Sequence, residues 1–398
     1  MPERMWIPRS APPSARIRLL QRGSYGAPQA RVNYVEGADR QESRIAPARP
    51  ASRLWLHCRP VNVARIRNRL LISMLLGIAV FAGLLLYGDI RKVGDGFRAF
   101  RWELMPLILA VTCGNYLLRF VKWQYYLRQV GVEGLARRDS FLIYFSGLGM
   151  TVTPGKVGEW LKSYLLKEMH GTPVSKSAPI LLAERLTDSL ALLFIAGVGI
   201  IVFGHNTWPI VVVIGAGSVV AVALSRHRPA AQGILRGVGR LPLANRFVPH
   251  FEQFYESTYV LMQPAGVALM TALSIGSWFF EVMAFHLTLV GLGIDNSWDT
   301  LFKAAFILPI STLAAAVLLT PGGLGVAETG ITALSQDLLD MTEGEAVAGT
   351  IIIRIATLWF GVVLGLAMFA LLTRRLTAEG HRLDVEPSAP RTSADPAA

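Results

Sequence analysis

Thr153-Pro154-Gly155-Lys156-Val157-Gly158-Glu159 lies in the middle of an otherwise apolar segment, residues 141–168. Thr320-Pro321-Gly322-Gly323-Leu324-Gly325, followed by Glu328, breaks a second apolar segment, 301–337, in the same way. Pro cannot continue a helix and Gly favours its end. If these segments lie at membrane depth, the breaks are costly, because backbone in hydrocarbon must be hydrogen-bonded or covered by protein or water.

Composition places them there. The chain has 398 residues, 52% hydrophobic and 17% charged, with a mean hydropathy of +0.43. A soluble domain carries about 25% charged residues, so a soluble globular enzyme is excluded. Six apolar runs of spanning length stand out, near 70–87, 104–127, 178–203, 209–224, 266–291 and 348–372. The expected fold is an all-α polytopic membrane protein, with about six spans and two Pro-Gly-broken hairpins.

The net charge of +12 is concentrated at one end. Residues 1–69 hold 14 Arg against 4 acids, whereas 70–372 holds 21 bases and 19 acids. The expected organisation is an Arg/Pro-rich, disordered extension over 1–69, a membrane domain over 70–372 and a polar tail over 373–398. No basic folded domain with stacking aromatics exists to bind nucleic acid. Cys58 and Cys113 fall in the extension and in an apolar span, so no disulfide is expected. His and Cys spacing gives no metal site, and no cofactor is expected.

Lys/Arg bias orients the chain. Arg59, Arg65, Arg67 and Arg69 precede the first span, five Arg between 226 and 246 follow the fourth, and Arg374 and Arg375 follow the last. These ends belong on the cytoplasmic side, with both termini. Segments 292–300 and 337–347 carry acids and no base and belong outside; the loop 88–103, with four bases and three acids, is the exception. Trp102, Trp208 and Trp298 suit an aromatic belt.

The two broken segments belong to similar halves, about 104–203 and 266–372. Arg185 and Arg354 lie 32 and 34 residues past the two Thr. Arg119 and Glu281 each lie 12 residues before a Gly, Gly131 and Gly293. The charge bias gives the halves opposite orientations, an inverted-topology repeat. Each Thr is read as the N-cap of a half-helix with Pro at its first position. Two such ends, partly positive, would face a shared anion site near the midplane.

Intramembrane charges supply the candidate residues. Thr153, Pro154, Gly155, Lys156, Arg185, Thr320, Pro321, Gly322, Gly323 and Arg354 are the candidate binding set, with Arg185 and Arg354 as headgroup clamps. Arg119, Asp188, Glu159, Glu281 and Glu328 are candidates for ion pairing or for carrying a coupling proton. The plainer expectations are that Arg119 and Glu281 pair across the repeat, that Glu184 and Asp188 sit at the interface, that Lys122, Lys162 and Lys167 snorkel or stay solvated, and that His286 only packs.

The segments at 153–159 (TPGKVGE), 184–188 (ERLTD) and 320–328 (TPGGLGVAE), with Arg354, resemble the flippase-like family, the transmembrane region of lysylphosphatidylglycerol synthases. The resemblance covers about 70–372. It implies a translocator of anionic phospholipid or lipid-linked headgroups in a bacterial cytoplasmic membrane, with membrane lipid as the partner. It does not imply lysyl transfer, because the expected tail is too short for the synthases' aminoacyl-transferase domain. No P-loop motif occurs, so ATP is not the expected driver. A membrane enzyme on a polyprenyl or phospholipid substrate and a small-anion transporter remain the alternatives.

Overall fold

The computed structural model describes residues 75, 77–152, 160–203, 208–226, 248–318 and 323–378. The N-terminal extension with Cys58, the segments 153–159 and 319–322, and most of the C-terminal tail lie outside the described residues. So do the expectations placed on Thr153, Pro154, Gly155, Lys156, Glu159, Thr320, Pro321 and Gly322.

Among the described residues the chain is all helix. The helices are α1 (Gly77–Tyr87), α2 (Ile90–Ala99), α3 (Met105–Gln129), α4 (Arg137–Leu148), α5 (Leu161–His170), α6 (Val174–Phe203) and α7 (Trp208–Arg226). They continue with α8 (Val248–Leu261), α9 (Pro264–Gly291), α10 (Trp298–Val317), α11 (Val326–Leu339), α12 (Glu343–Arg354) and α13 (Phe360–Ala378). A π-helical turn, Ile355–Trp359, joins α12 to α13. Four stretches are long and apolar enough to cross a membrane: Trp102–Gln129, Pro264–Gly291, Trp298–Val317 and Glu343–Leu376.

The sequence missed two helices. The charged loop expected over 88–103 contains α2, whose N-cap Asp89 accepts a hydrogen bond from the Arg91 N–H. Its charges lie on one face, and Val93 on the other packs with Val347 and Ile351 of α12. Polar periodicity on so short a segment reads as a loop unless the partner helix is known. The second is α8, in the stretch between the fourth and fifth spans.

Packing between the halves is reciprocal. The spans α3 and α9, which the sequence pairs as counterparts, lie against each other. The first hairpin, α4–α5, packs through α4 on α13 of the second half, and the second hairpin, α10–α11, packs through α10 on α6 of the first. The α4–α13 contact is close enough to require glycine on both sides. A Cβ added at Gly365 would lie 2.0 Å from the Gly149 backbone nitrogen. Small residues allow this approach where no water-driven hydrophobic force holds helices together.

The long helices share one longitudinal pattern. On α3, Ile108 belongs to one apolar core and Trp123, Tyr126 and Leu127 to another. On α6 the order is reversed, with Ile180 and Ala183 in the second core and Ala191, Leu192 and Ala196 in the first. On α9, Met270 lies in the second and Val282, Phe285 and Leu289 in the first. A polar layer separates the two cores, and each hairpin is seated in one of them.

Candidate functional site

The polar layer is built by helical spacing. Asn115, Arg119 and Lys122 recur at i, i+4 and i+7 on α3, and Ser274, Ser277 and Glu281 at i, i+3 and i+7 on α9. Glu184, Arg185 and Asp188 share one side of α6. Each set forms a stripe on one helix face, and the packing of α3, α6 and α9 turns the stripes inward.

Asp188 is the centre of the network. One of its oxygens lies 3.0 Å from Arg119 Nη1 and the other 2.7 Å from Lys122 Nζ. Lys122 Nζ also donates to Ser274 Oγ at 2.6 Å, and Ser274 donates in turn to Asp188 at 3.0 Å. Asp188 and Glu184, expected at the interface from their place near the start of a span, are both buried inside the protein among basic partners. Lys122 is 2% exposed, and Lys162, beside Glu184 at 2.6 Å, is also buried. The expectation that these lysines snorkel is therefore corrected: each has a carboxylate inside the protein, which is what makes an ammonium tolerable there. Lys162 also lies over the rings of Trp123 and Tyr144, at 5.0 and 5.1 Å. Lys167 is exposed, as its sequence position suggests. His286 is buried and bonds Asn296 at 3.0 Å through Nε2.

Arg119 and Glu281 do not pair directly. Arg119 Nε donates to Asn115 Oδ1 at 2.9 Å, and Asn115 Nδ2 donates to Glu281 Oε2 at 2.8 Å. Ser277 Oγ also donates to Asn115 Oδ1. One amide thus separates the two charges, and its orientation follows from having two donors on its oxygen. The Arg119 guanidinium rests on the Trp278 ring at 4.7 Å.

The second break is organised around Glu328. Its helix, α11, begins at Val326 with Gly325 as N-cap. Gly325 has φ 86°, a conformation that glycine tolerates and that turns the chain sharply into the helix. Glu328, fully buried, accepts the Gly325 N–H at 2.7 Å and binds Arg354 Nε at 2.6 Å. The helix N-terminus therefore already holds a carboxylate of its own chain, and Arg354 is tied to it. The helix after the first break begins at Leu161.

These groups line one cavity of about 230 Å³. It lies between the hairpins where α3, α6, α9 and the π-helical turn meet, and both halves contribute to it. Arg119, Arg185, Arg354, Asp188, Glu281 and Gly323 from the sequence-predicted set all reach its wall. Lys122, Lys162 and Glu184 join them, as do Asn115, Tyr116 and Trp278, which the sequence reading did not single out. Their helical spacing with Arg119 and Glu281 was the available signal. Among the described residues, five basic side chains meet three carboxylates in the wall, with Glu328 beneath Arg354 as a fourth. The Tyr116 hydroxyl donates to the Thr357 carbonyl, in the π turn, where the α-helical ladder is interrupted.

Helices long enough to cross a bilayer, packed around a buried ionic layer, define an integral membrane protein. Residues 74–365 match the family described as the lysylphosphatidylglycerol synthase TM region, and the chain belongs to that family. The protein is similar to the glycosyltransferase AglD of Haloferax volcanii, 24% identical over 329 residues, which cover 72% of this chain and 52% of that one. It is also similar to UPF0104 membrane proteins of Methanothermobacter thermautotrophicus, 23% identical over 76% of this chain and 91% of that protein, and of Methanocaldococcus jannaschii, 23% identical over 58% and 96%. The chain spans about half the length of the glycosyltransferase.

Proposed function

We propose that the protein translocates a lipid with an anionic headgroup, a phospholipid or a lipid-linked phosphate, through the cavity between the hairpins. The observation that carries this reading is the convergence of Arg119, Arg185 and Arg354, from three helices, on one cavity. Arginine suits a phosphate because its planar fork gives two parallel hydrogen bonds. A cavity of about 230 Å³ takes a headgroup while the acyl chains stay in the bilayer. Access alternates by movement of the two hairpins. The short arms α4 and α5, roughly 18 and 15 Å at 1.5 Å per residue, suit a first hairpin that enters and leaves on one side, whereas α10 of the second is long enough to cross. The proposed domain limits remain 1–69, 70–372 and 373–398, and the proposed location is a bacterial cytoplasmic membrane with both termini inside.

The test is leaflet exchange of headgroup-labelled phosphatidylglycerol in proteoliposomes. Wild-type protein is expected to accelerate exchange, and Arg185→Ala to lower it at least tenfold while the helical content and melting temperature persist. Wild-type rates from the variant would remove Arg185 from the site.

The name of the Haloferax relative, a glycosyltransferase, favours a second reading, a membrane enzyme that transfers a sugar to a polyprenyl or phospholipid substrate. It predicts a covalently changed lipid after incubation with sugar donors, which mass spectrometry detects. A transporter returns the same lipid in the other leaflet.

A further inference from the structure

We infer that Glu281 is the proton-binding site of the cavity, and that a proton enters it together with the anionic headgroup. The inference rests on the translocation reading above and supplies its coupling.

Four carboxylates line or underlie the cavity, and three are held by bases. Asp188 contacts both Arg119 and Lys122, Glu184 contacts Lys162, and Glu328 contacts Arg354. Protonating any of them would strand a buried cation. Glu281 differs. Among the described residues it forms no ion pair, and its one hydrogen bond comes from the Asn115 amide. That bond goes to Oε2, and a proton on Oε1 leaves it intact. Glu281 is half-buried and faces the cavity, so a proton can reach it from water there.

The charged and titratable groups facing Glu281 come from α3, α6 and the last span. α3 contributes Arg119 and Tyr116, α6 contributes Asp188, and the last span contributes Arg354. In the empty cavity Arg119 and Arg354 are the cations that favour a charge on Glu281 against its burial. A phosphodiester anion bound to them competes for that stabilisation and adds a like charge beside the carboxylate. Like charges sharing a small site cannot both stay ionised cheaply. The headgroup therefore brings a proton from water onto Glu281 Oε1. When the headgroup leaves, the arginines recover their hold and the proton returns to water on that side. The cavity carries the same charge empty with Glu281 ionised and filled with it neutral, so the loaded layer crosses the low-dielectric region at no added charge.

The experiment uses the full chain in detergent with dihexanoyl-phosphatidylglycerol, whose phosphodiester does not itself titrate near neutrality. Proton uptake on binding is read with a pH indicator in weak buffer, and affinity by calorimetry at several pH values. Wild type is expected to take up close to one proton per lipid bound. By linkage, its affinity then falls up to tenfold per pH unit as pH rises. Glu281→Gln, which keeps the oxygen facing Asn115, should lose the uptake, flatten the affinity against pH and bind at least as tightly at alkaline pH. Glu281→Asp should restore the uptake. Binding by wild type without proton uptake, or wild-type uptake by Glu281→Gln, would overturn the coupling and leave translocation standing. No binding by wild type would overturn the headgroup reading itself, and the coupling with it.

Discussion

At the scale of single residues, the site is a set of buried charges whose neutralisation decides stability before it decides function. Asp188 answers two cations at once, so its removal leaves Arg119 and Lys122 facing each other. Breaking a buried pair by deleting one partner costs about 3–5 kcal/mol. Asp188→Asn should approach that loss in a thermal or denaturant melt, whereas Ser274→Ala, which removes one neutral partner, should cost roughly 1 kcal/mol. Equal effects would show that the ionic pairing is not what holds the layer. Glu328 gives a second comparison. Glu328→Ala removes both the partner of Arg354 and the acceptor for the Gly325 N–H. Glu328→Gln keeps an acceptor and should melt higher than Glu328→Ala. Much of this layer was legible in the sequence, because charges in apolar spans are rare and each announces itself: Arg119, Arg185, Asp188, Glu281 and Arg354 all reach the cavity. Lys122 and Lys162 were misjudged because a long stem near a helix end reads as snorkelling, and only tertiary packing shows the carboxylate within reach. Asn115 was missed because a neutral amide carries no such alarm, yet it sets the relation between Arg119 and Glu281.

At the scale of elements, the hairpins explain why spans were easier to read than their partners. Helices such as α3 and α9 follow from uninterrupted apolar length, and their bounds differ from the sequence reading by only a few residues at each end. The start of α11 at Val326 does not follow from the Thr-Pro signal, because it is Gly325 and Glu328, farther along, that cap this helix. Which helix each hairpin rests on is a matter of shape, and the sequence holds only a faint record of it in paired glycines. The contact of Gly149 with Gly365 is the test case. Gly365→Val places a side chain where the backbone of α4 already lies, with the first added carbon 2.0 Å from nitrogen. Overpacking typically costs about 1–3 kcal/mol, and a clash with backbone costs more because neither helix can yield alone. The variant should lose its monodisperse peak in fluorescence-detected size-exclusion chromatography. Gly83→Val is the control, since nothing lies within 4 Å of a Cβ there and the residue is exposed on α1. If both variants elute as wild type, the α4–α13 contact is looser than described.

At the scale of the whole molecule, the reciprocal packing changes what can move against what. Each hairpin is seated on the last span of the other half, so the natural rigid groups are α4–α5 with α13 and α10–α11 with α6. Rocking of one sequential half against the other would tear both seats. In the proposed alternating access, movement about the α3–α9 contact, between these exchanged groups, would keep both seats and would have to part the Lys162–Glu184 pair that joins α5 to α6. This scheme needs the hairpins to face opposite leaflets, and the orientation rests on one helix, α9, crossing once. Glu252 on α8 and Ser297 before α10 are both exposed and lie on either side of α9. In a background with Cys58 and Cys113 replaced by Ser, Ser297→Cys should react with a membrane-impermeant maleimide on intact cells. Glu252→Cys should react only after permeabilisation, the outcome that the charge bias of the arginine-rich stretch beside it predicts. The opposite labelling pattern would invert the protein without disturbing the repeat. Labelling of both positions from one side would mean that α9 does not cross, and alternating access between two oppositely facing hairpins would fall with it.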